Sequence, residues 1–211
     1  LEAVPVGYAF HEKEVKTFNF AKDKLMAICT SDYDKNMESL VGIINVLAKV
    51  PGTKVRVFDI NNSYKGDVLD ILYYNENIDA TLVALTNDLE KRTTQQDYGI
   101  TFILGISKLK GILNAAGKEY YAKYFDALVN ANQSGVVIVD SYENMKKLKI
   151  ENWFTRLNTS NCIWLGNGIE NQNIFNVNAI DMEDRKLKFN GIAFTVEEGS
   201  YTLIKSVMDK E

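Results

Sequence analysis

The sequence is poor in the residues that build most metal and hydrolytic sites. It has one histidine and two cysteines in 211 residues, and none of them has the paired spacing of a zinc site. His11 lies in a polar stretch, which predicts a solvated surface imidazole and argues against a histidine-based triad. Cys29 and Cys162 lie in apolar, strand-like runs, which predicts buried reduced thiols and a cytosolic environment. The sequence therefore predicts no metal site.

Long apolar runs, an excess of positive charge and low-complexity segments are also missing. No run approaches the roughly 20 apolar residues that a membrane helix needs, and residues 1–5 lack the basic and apolar regions of a signal peptide. A balance of 24 basic and 28 acidic residues gives a net charge of -4, which argues against nucleic acid as a main partner. We expect one domain over residues 1–211, without direct membrane contact.

Short apolar runs alternate with amphipathic segments along the chain. The apolar runs predict strands at Leu25–Thr30, Lys54–Ile60, Ile100–Ile106, Gly135–Asp140 and Asn161–Leu165, and the amphipathic segments predict helices at Lys35–Val50, Asp79–Gln96 and Lys118–Asn132. This alternation predicts a mostly parallel α/β sheet with helices on both faces. Two later runs, Gly191–Val196 and Tyr201–Ile204, flank a glycine-containing turn and predict antiparallel C-terminal edge strands.

The turn after the first of these strands is where such a sheet would bind a ligand. Compared with a P-loop, Cys29 and Asp34 occupy the two glycine positions, Lys35 the lysine position and Asn36 the hydroxyl position. Asp34 and the neighbouring Asp32 would each repel a polyphosphate by about 1 kcal/mol even in water, and Asn36 lacks the hydroxyl that ligates Mg²⁺. Capping of the following helix by Asp32 or Asp34 explains the same residues without a ligand, and we favour it.

An ATPase site also needs an acidic pair after an apolar strand. The strand at 100–106 is followed by Ser107 and Lys108, so both carboxylates are absent there. The run that ends at Asp140 fits the pattern better, but Ser141 stands where a catalytic glutamate is needed. Asp140 and Asp59 both end strands, and residues at such positions are more often turn formers than metal ligands.

The order of these parts resembles the FtsK/SpoIIIE superfamily, and within it the last ATPase-like domain of the EssC-type coupling ATPases of type VII secretion. The resemblance spans nearly the whole chain, starting at the short entry strand Val4–Gly7, and is most specific in the C-terminal runs Ile163–Gly168, Asn171–Val177 and Gly191–Gly199. In this alignment Ser107 and Lys108 are the vestige of the acidic pair, and Asp140 and Ser141 fall at the sensor strand.

The resemblance implies a module at the cytoplasmic face of the cell membrane, carried by a larger membrane-anchored protein. It also implies partners: small helical-hairpin secretion substrates of the WXG type, preceding ATPase domains of the same chain, and an oligomer of the full-length protein. Only Lys35 carries over from the family's nucleotide-binding residues, and no catalytic residue does. The leading hypothesis is therefore a pseudo-ATPase that docks substrates and neighbouring domains without a cofactor.

Two other functions stay open. One is an ATPase that binds ATP and Mg²⁺ through atypical residues, such as Lys35 with Asp59 or Asp140. The other is a nucleic-acid translocase module like the DNA pumps of the superfamily, although the chain lacks a basic face. Its one basic cluster, Lys146–Lys149, is interpreted as a solvated face.

Overall fold

A computed structural model describes residues 1–66, 72–74 and 76–208 of the chain. In these residues the strands are β1 (Val4–Ala9), β2 (Val15–Phe18), β3 (Leu25–Thr30), β4 (Thr53–Asp59), β5 (Leu72–Tyr74), β6 (Tyr98–Leu104), β7 (Ser134–Ser141), β8 (Cys162–Leu165), β9 (Ile192–Glu197) and β10 (Ser200–Ser206). They form one sheet in the order β2-β1-β10-β9-β8-β3-β7-β6-β4-β5. The α/β fold class predicted from the sequence is confirmed.

The strands from β8 to β5 in this order are parallel. β3 and β8 are buried at every position, which is typical of parallel strands covered on both faces. This explains why their sequences read as continuous apolar runs. The five parallel strands predicted from those runs lie within two residues of their observed bounds.

The other side of the sheet is antiparallel. β9 pairs with β8 and with β10, and the β9–β10 hairpin turns at Glu198 and Gly199, whose φ angles are 53° and 81°. Positive φ at both central residues is the requirement of a type I′ hairpin turn. The antiparallel C-terminal strands are thus confirmed, but they do not form the edge. β1 pairs with β10 and β2 pairs with β1, so the N-terminal hairpin extends the sheet beyond them.

Helices cover both faces of the sheet. They are α1 (Met37–Ala48), α2 (Ile78–Lys91), α3 (Ile106–Ile112), α4 (Ala115–Asn130), α5 (Tyr142–Met145) and α6 (Met182–Lys186), with short 3₁₀ helices at Lys146–Ile150, Asn152–Arg156 and Ile169–Asn171. α1 packs on one face, and α2, α3 and α4 pack on the other. Among the helices of the described residues, none combines the length and the apolarity needed to cross a membrane.

The apolar stripes predicted for the helices do form the core. In α1, Leu40, Ile43, Ile44 and Leu47 are all at most 2% exposed, and in α4 the stripe that begins at Tyr121 is at most 4% exposed. Both cysteines are buried and free, as predicted. His11 is partly exposed, but its Nε2 lies 2.7 Å from Oδ1 of the buried Asp184, so it is not simply solvated.

Candidate functional site

The candidate site lies where the connections of two neighbouring parallel strands diverge. β3 lies between β7 and β8. It continues into α1 on one face, whereas β7 continues into α5 and the 3₁₀ helices, which belong to the other face. Ligands of open α/β sheets bind at the carboxyl ends of strands at such a point. A pocket of about 260 Å³ opens there, lined by Tyr33, Asp34, Asn61, Ser63, Lys108, Asp140, Ser141 and Asn144.

The pocket brings together predicted residues from three separate loops. Asp34, from the turn after β3, lines it together with Lys108, which was predicted as the vestige of an acidic pair, and with Asp140 and Ser141 from the end of β7. The turn after β3 therefore contributes to a pocket at the carboxyl ends of the strands.

The loop after β3 is bridged by one of its own side chains. The Asn36 amide nitrogen donates to Oγ1 of Thr30 at 2.9 Å and to the Asp32 carbonyl at 2.7 Å. It also packs against Gly166, where an added Cβ would lie 2.8 Å from that nitrogen. Asn36, which was predicted to stand at the hydroxyl position of a P-loop, thus ties the end of the loop to its beginning.

Lys35, which occupies the lysine position in the comparison with a P-loop, faces solvent. Its Nζ lies 2.8 Å from Oδ2 of Asp32, and 83% of its side chain is exposed. The hydrogen bond from Lys35 holds the pKa of the Asp32 carboxyl below its usual range, and the same bond raises the pKa of Lys35. Asp32 also accepts the Lys35 backbone N–H at 3.3 Å, but this bond lies in the turn before the helix. The N-cap of α1 is Asn36 and no side chain caps it, so the predicted capping by Asp32 or Asp34 is wrong. The helix itself begins two residues later than predicted, at Met37.

Cys29, at the position of the first P-loop glycine, is part of β3. It is fully buried and lies opposite Asp140 of β7 and Trp164 of β8 in the ladder. Burial raises the pKa of its thiol well above the usual value. The chain therefore leaves the sheet only after Thr30.

Asp140 is 1% exposed, and both its carboxylate oxygens accept hydrogen bonds. Oδ2 accepts the backbone N–H of Ser107 at 3.0 Å, and Oδ1 accepts the N–H of Ser141 at 2.9 Å and the Asn144 amide at 3.0 Å. Ser107 lies in the first turn of α3, which follows Gly105 with φ 78°. Asp140 therefore fixes the start of α3 to the end of β7.

Asp59 has the same role at the end of β4. It is 1% exposed, and its carboxylate accepts the backbone N–H groups of Asn61 at 3.1 Å, Ser63 at 2.7 Å and Tyr64 at 2.8 Å. Asn61 and Ser63 are thereby placed in the pocket wall. Both strand-ending aspartates act as turn formers, in agreement with the sequence analysis.

These residues do not match the requirements of Mg²⁺-bound nucleotide. Phosphate binding needs free backbone N–H groups and an inward lysine. Here the N–H groups of Asp32 and Lys35 already donate to Thr30 Oγ1 and to the Asp32 carboxylate, and the Lys35 ammonium pairs outward with Asp32. The pocket wall carries two carboxylates, Asp34 and Asp140, and one lysine, Lys108. In the part of the chain that the structure describes, no group of three His, Cys, Asp or Glu residues is arranged to hold a metal ion.

Several pocket residues were not found from the sequence. Tyr33, Asn61, Ser63 and Asn144 line the pocket with the predicted residues. The signal for Asn144 was its position four residues after a strand-ending aspartate, in the first turn of a helix. Asn61 and Ser63 lie in a polar stretch without any distinguishing pattern.

Comparison with solved structures gives the fold a clear match. EccC of Thermomonospora curvata (ATPases 2 and 3), in complex with a signal sequence peptide, superposes with a TM-score of 0.71 at 11% identity over 100% of this chain and 41% of that chain. EssC of Geobacillus thermodenitrificans (ATPases 2 and 3) gives 0.69 at 13% identity over 98% of this chain and 41% of that one. The conjugation coupling protein TcpA of pCW3, with ATPγS, gives 0.65 at 11% identity over 99% and 66% of the two chains.

The protein therefore has the fold of the P-loop ATPase domains of type VII secretion and conjugation coupling proteins. It spans less than half the length of the EccC and EssC chains that it matches. No protein-family model and no curated protein sequence matches it.

Proposed function

We propose that this chain is a pseudo-ATPase module of a type VII secretion coupling protein. In this role it binds no nucleotide and offers its surface to small helical-hairpin substrates and to neighbouring ATPase domains of the same chain. The module works at the cytoplasmic face of the membrane, as part of a larger anchored protein. The likeness to EccC and EssC over the whole chain supports the assignment to secretion, and the EccC structure contains a bound signal sequence peptide.

One observation carries the pseudo-ATPase assignment: the loop after β3 is closed by its own side chains. Asn36 bridges Thr30 and Asp32 at 2.9 and 2.7 Å, and Lys35 is paired with Asp32 at 2.8 Å. A polyphosphate in the pocket would lie beside the carboxylates of Asp34 and Asp140, and Lys35 would have to leave its pair with Asp32 to reach it. The ATPase alternative that uses Asp59 or Asp140 is disfavoured because both carboxylates already accept backbone hydrogen bonds.

Titration of Mg·ATP into the purified chain by calorimetry tests the nucleotide part of the proposal. We expect no saturable heat up to millimolar nucleotide, and no difference between the wild type and Lys35→Ala. Lys54→Ala is the matched control, because Lys54 is a similarly exposed lysine elsewhere on the surface. Saturable binding that Lys35→Ala abolishes and Lys54→Ala preserves would refute the pseudo-ATPase assignment.

The secretion part is tested in the parent protein. Deletion of the module is expected to stop export of the helical-hairpin substrates, while the Lys35→Ala variant exports them normally. Unchanged export after deletion, together with no binding of the purified substrates to the chain, would refute this part. DNA binding that weakens with salt would instead favour a nucleic-acid translocase.

A further inference from the structure

Two asparagines of the chain are followed directly by glycine. They are Asn167, before Gly168, and Asn190, before Gly191. Glycine has no side chain to shield its backbone nitrogen, so this nitrogen can approach and attack the side-chain amide carbon of the asparagine before it. Both dipeptides carry the same reacting groups. Their surroundings in the fold therefore decide which of the two asparagines reacts.

The surroundings of Asn167 hold its main chain in place. The Asn167 carbonyl accepts the indole N–H of Trp164 at 3.1 Å, and the Gly168 carbonyl accepts the N–H of Asn171 at 3.0 Å. Asn167 is also partly buried. To react, the main chain must rotate until the Gly168 nitrogen reaches the amide carbon, and this rotation would disturb both hydrogen bonds.

Asn190 lies in an exposed turn before β9. The turn is closed by the N–H of Ile192, which donates to the Phe189 carbonyl at 3.3 Å, beyond the usual range for such a bond. Asn190 itself is exposed, and its side-chain amide has no hydrogen bond to any residue that the structure describes. Its amide carbon can therefore reach the Gly191 nitrogen at a lower cost than the amide carbon of Asn167 can reach Gly168.

We propose that Asn190 is a site of spontaneous deamidation and that the fold protects Asn167 from the same reaction. The Gly191 nitrogen loses its proton to hydroxide or water and forms a bond to Cγ of Asn190. The bond from Cγ to Nδ2 breaks, and the side-chain nitrogen leaves as ammonia, which gives a cyclic succinimide. Water then opens this ring at either of its two carbonyl carbons, so the products are aspartate and isoaspartate. Nothing is oxidised or reduced.

The two products differ in their effect on the fold. Aspartate adds a negative charge at an exposed position, whereas isoaspartate leads the main chain through Cβ and lengthens the turn by one atom. The Gly191 carbonyl accepts the N–H of Ser206 at 2.8 Å, and the Ser206 hydroxyl donates to the buried Ser39 hydroxyl of α1 at 2.6 Å. A longer turn displaces Gly191 from β10, so isoaspartate loosens the contact of β10 with α1.

The test is incubation of the purified chain at pH 8.5, followed by tryptic digestion and mass spectrometry. Trypsin places the two asparagines in separate peptides, residues 157–185 and 189–205, and Asn190 is the only side-chain amide of the second peptide. In the folded chain we expect peptide 189–205 to gain the mass of deamidation about tenfold faster than peptide 157–185, because Asn167 must first lose its hydrogen bonds. In guanidinium the difference should disappear. Equal rates in the folded chain, or a gain in peptide 189–205 only after unfolding, would overturn the inference.

The effect on the fold is measured on the separated products by urea unfolding. The isoaspartyl form should unfold at lower urea than the wild type. Asn190→Asp is the matched control, because it carries the same charge without the longer main chain, and it should keep the wild-type midpoint. An isoaspartyl form with the midpoint of Asn190→Asp would show that the turn does not hold β10, and the structural consequence would be wrong.

Discussion

Replacement of Asp140 tests whether its carboxylate has a structural role or a catalytic one. Asp140→Ala removes the acceptor for three donors, the N–H groups of Ser107 and Ser141 and the Asn144 amide, from a site that is 1% exposed. A buried donor left without a partner costs about 1–3 kcal/mol. Ser141 and Asn144 also line the pocket, where water can replace the carboxylate, so the lower value applies to them. We therefore expect a loss of about 3–5 kcal/mol in the free energy of unfolding.

Urea unfolding followed by tryptophan fluorescence provides the measurement, since Trp153 and Trp164 are both buried. Asp140→Asn keeps one acceptor oxygen and should lose about half as much. Asp34→Asn is the matched control, because Asp34 lines the same pocket but is exposed, and it should change stability by less than about 0.5 kcal/mol. A residue kept for catalysis often costs stability. An Asp140→Ala protein as stable as the wild type, or more stable, would refute the structural role.

Three further outcomes are expected. The two buried cysteines, Cys29 and Cys162, should resist iodoacetamide at pH 8 in the native protein and react in guanidinium. The reason is that burial raises the pKa of both thiols and keeps them protonated. Rapid labelling of the native protein would contradict this. Gly42→Ala should lower the urea midpoint, because the new Cβ would lie 2.6 Å from the Val207 carbonyl oxygen. This steric clash should outweigh the gain of about 1 kcal/mol in helix propensity. An unchanged midpoint would show that the C-terminal segment moves away. Lys35→Ala should change the free energy of unfolding by less than about 1 kcal/mol, because its ion pair is exposed; a larger loss would show that this pair holds the loop closed.

The strands at the centre of the sheet could be predicted from the sequence, because a strand that is buried on both faces has a continuous run of apolar residues. β3 was predicted at its observed bounds, Leu25–Thr30. β2 (Val15–Phe18) was not predicted, since its four residues run from exposed to buried without alternation. It forms a strand because β1 offers an open edge to pair with, which is a tertiary effect.

Helix ends were predicted less well, and the causes are specific contacts. α2 was predicted to reach Gln96 but ends at Lys91, where Arg92 becomes extended with ψ 138°. Arg92 is 7% exposed, and its guanidinium donates to the Gln133 carbonyl and to Asp88, both at 3.2 Å. α3 was missed for two reasons. Gly105, in the left-handed region, ends the strand at Leu104, two residues earlier than predicted. The seven residues of α3 are also too few to show helical periodicity.

The position of the pocket at the end of the sheet was predicted from chain order, but the hydrogen bonds among its residues were not. Order alone placed Asp34, Lys108 and Asp140 at one end of the sheet, because parallel strands share a carboxyl edge. From the sequence, Asn36 was interpreted only as lacking the hydroxyl that ligates Mg²⁺ in a P-loop. Its contribution, the hydrogen bonds to Thr30 and Asp32, depends on the path of the loop and is not encoded by spacing.

The substitutions in this loop compensate one another. Backbone N–H groups at a helix N-terminus favour an anion, and a P-loop leaves that place to a phosphate. Here an anion of the chain itself lies in the turn before α1, because Asp32 accepts the N–H of Lys35 at 3.3 Å and pairs with its ammonium at 2.8 Å. Thr30 in turn accepts the N–H of Asp32 at 3.2 Å. These hydrogen bonds order the loop without a bound ligand, as the proposed pseudo-ATPase role requires.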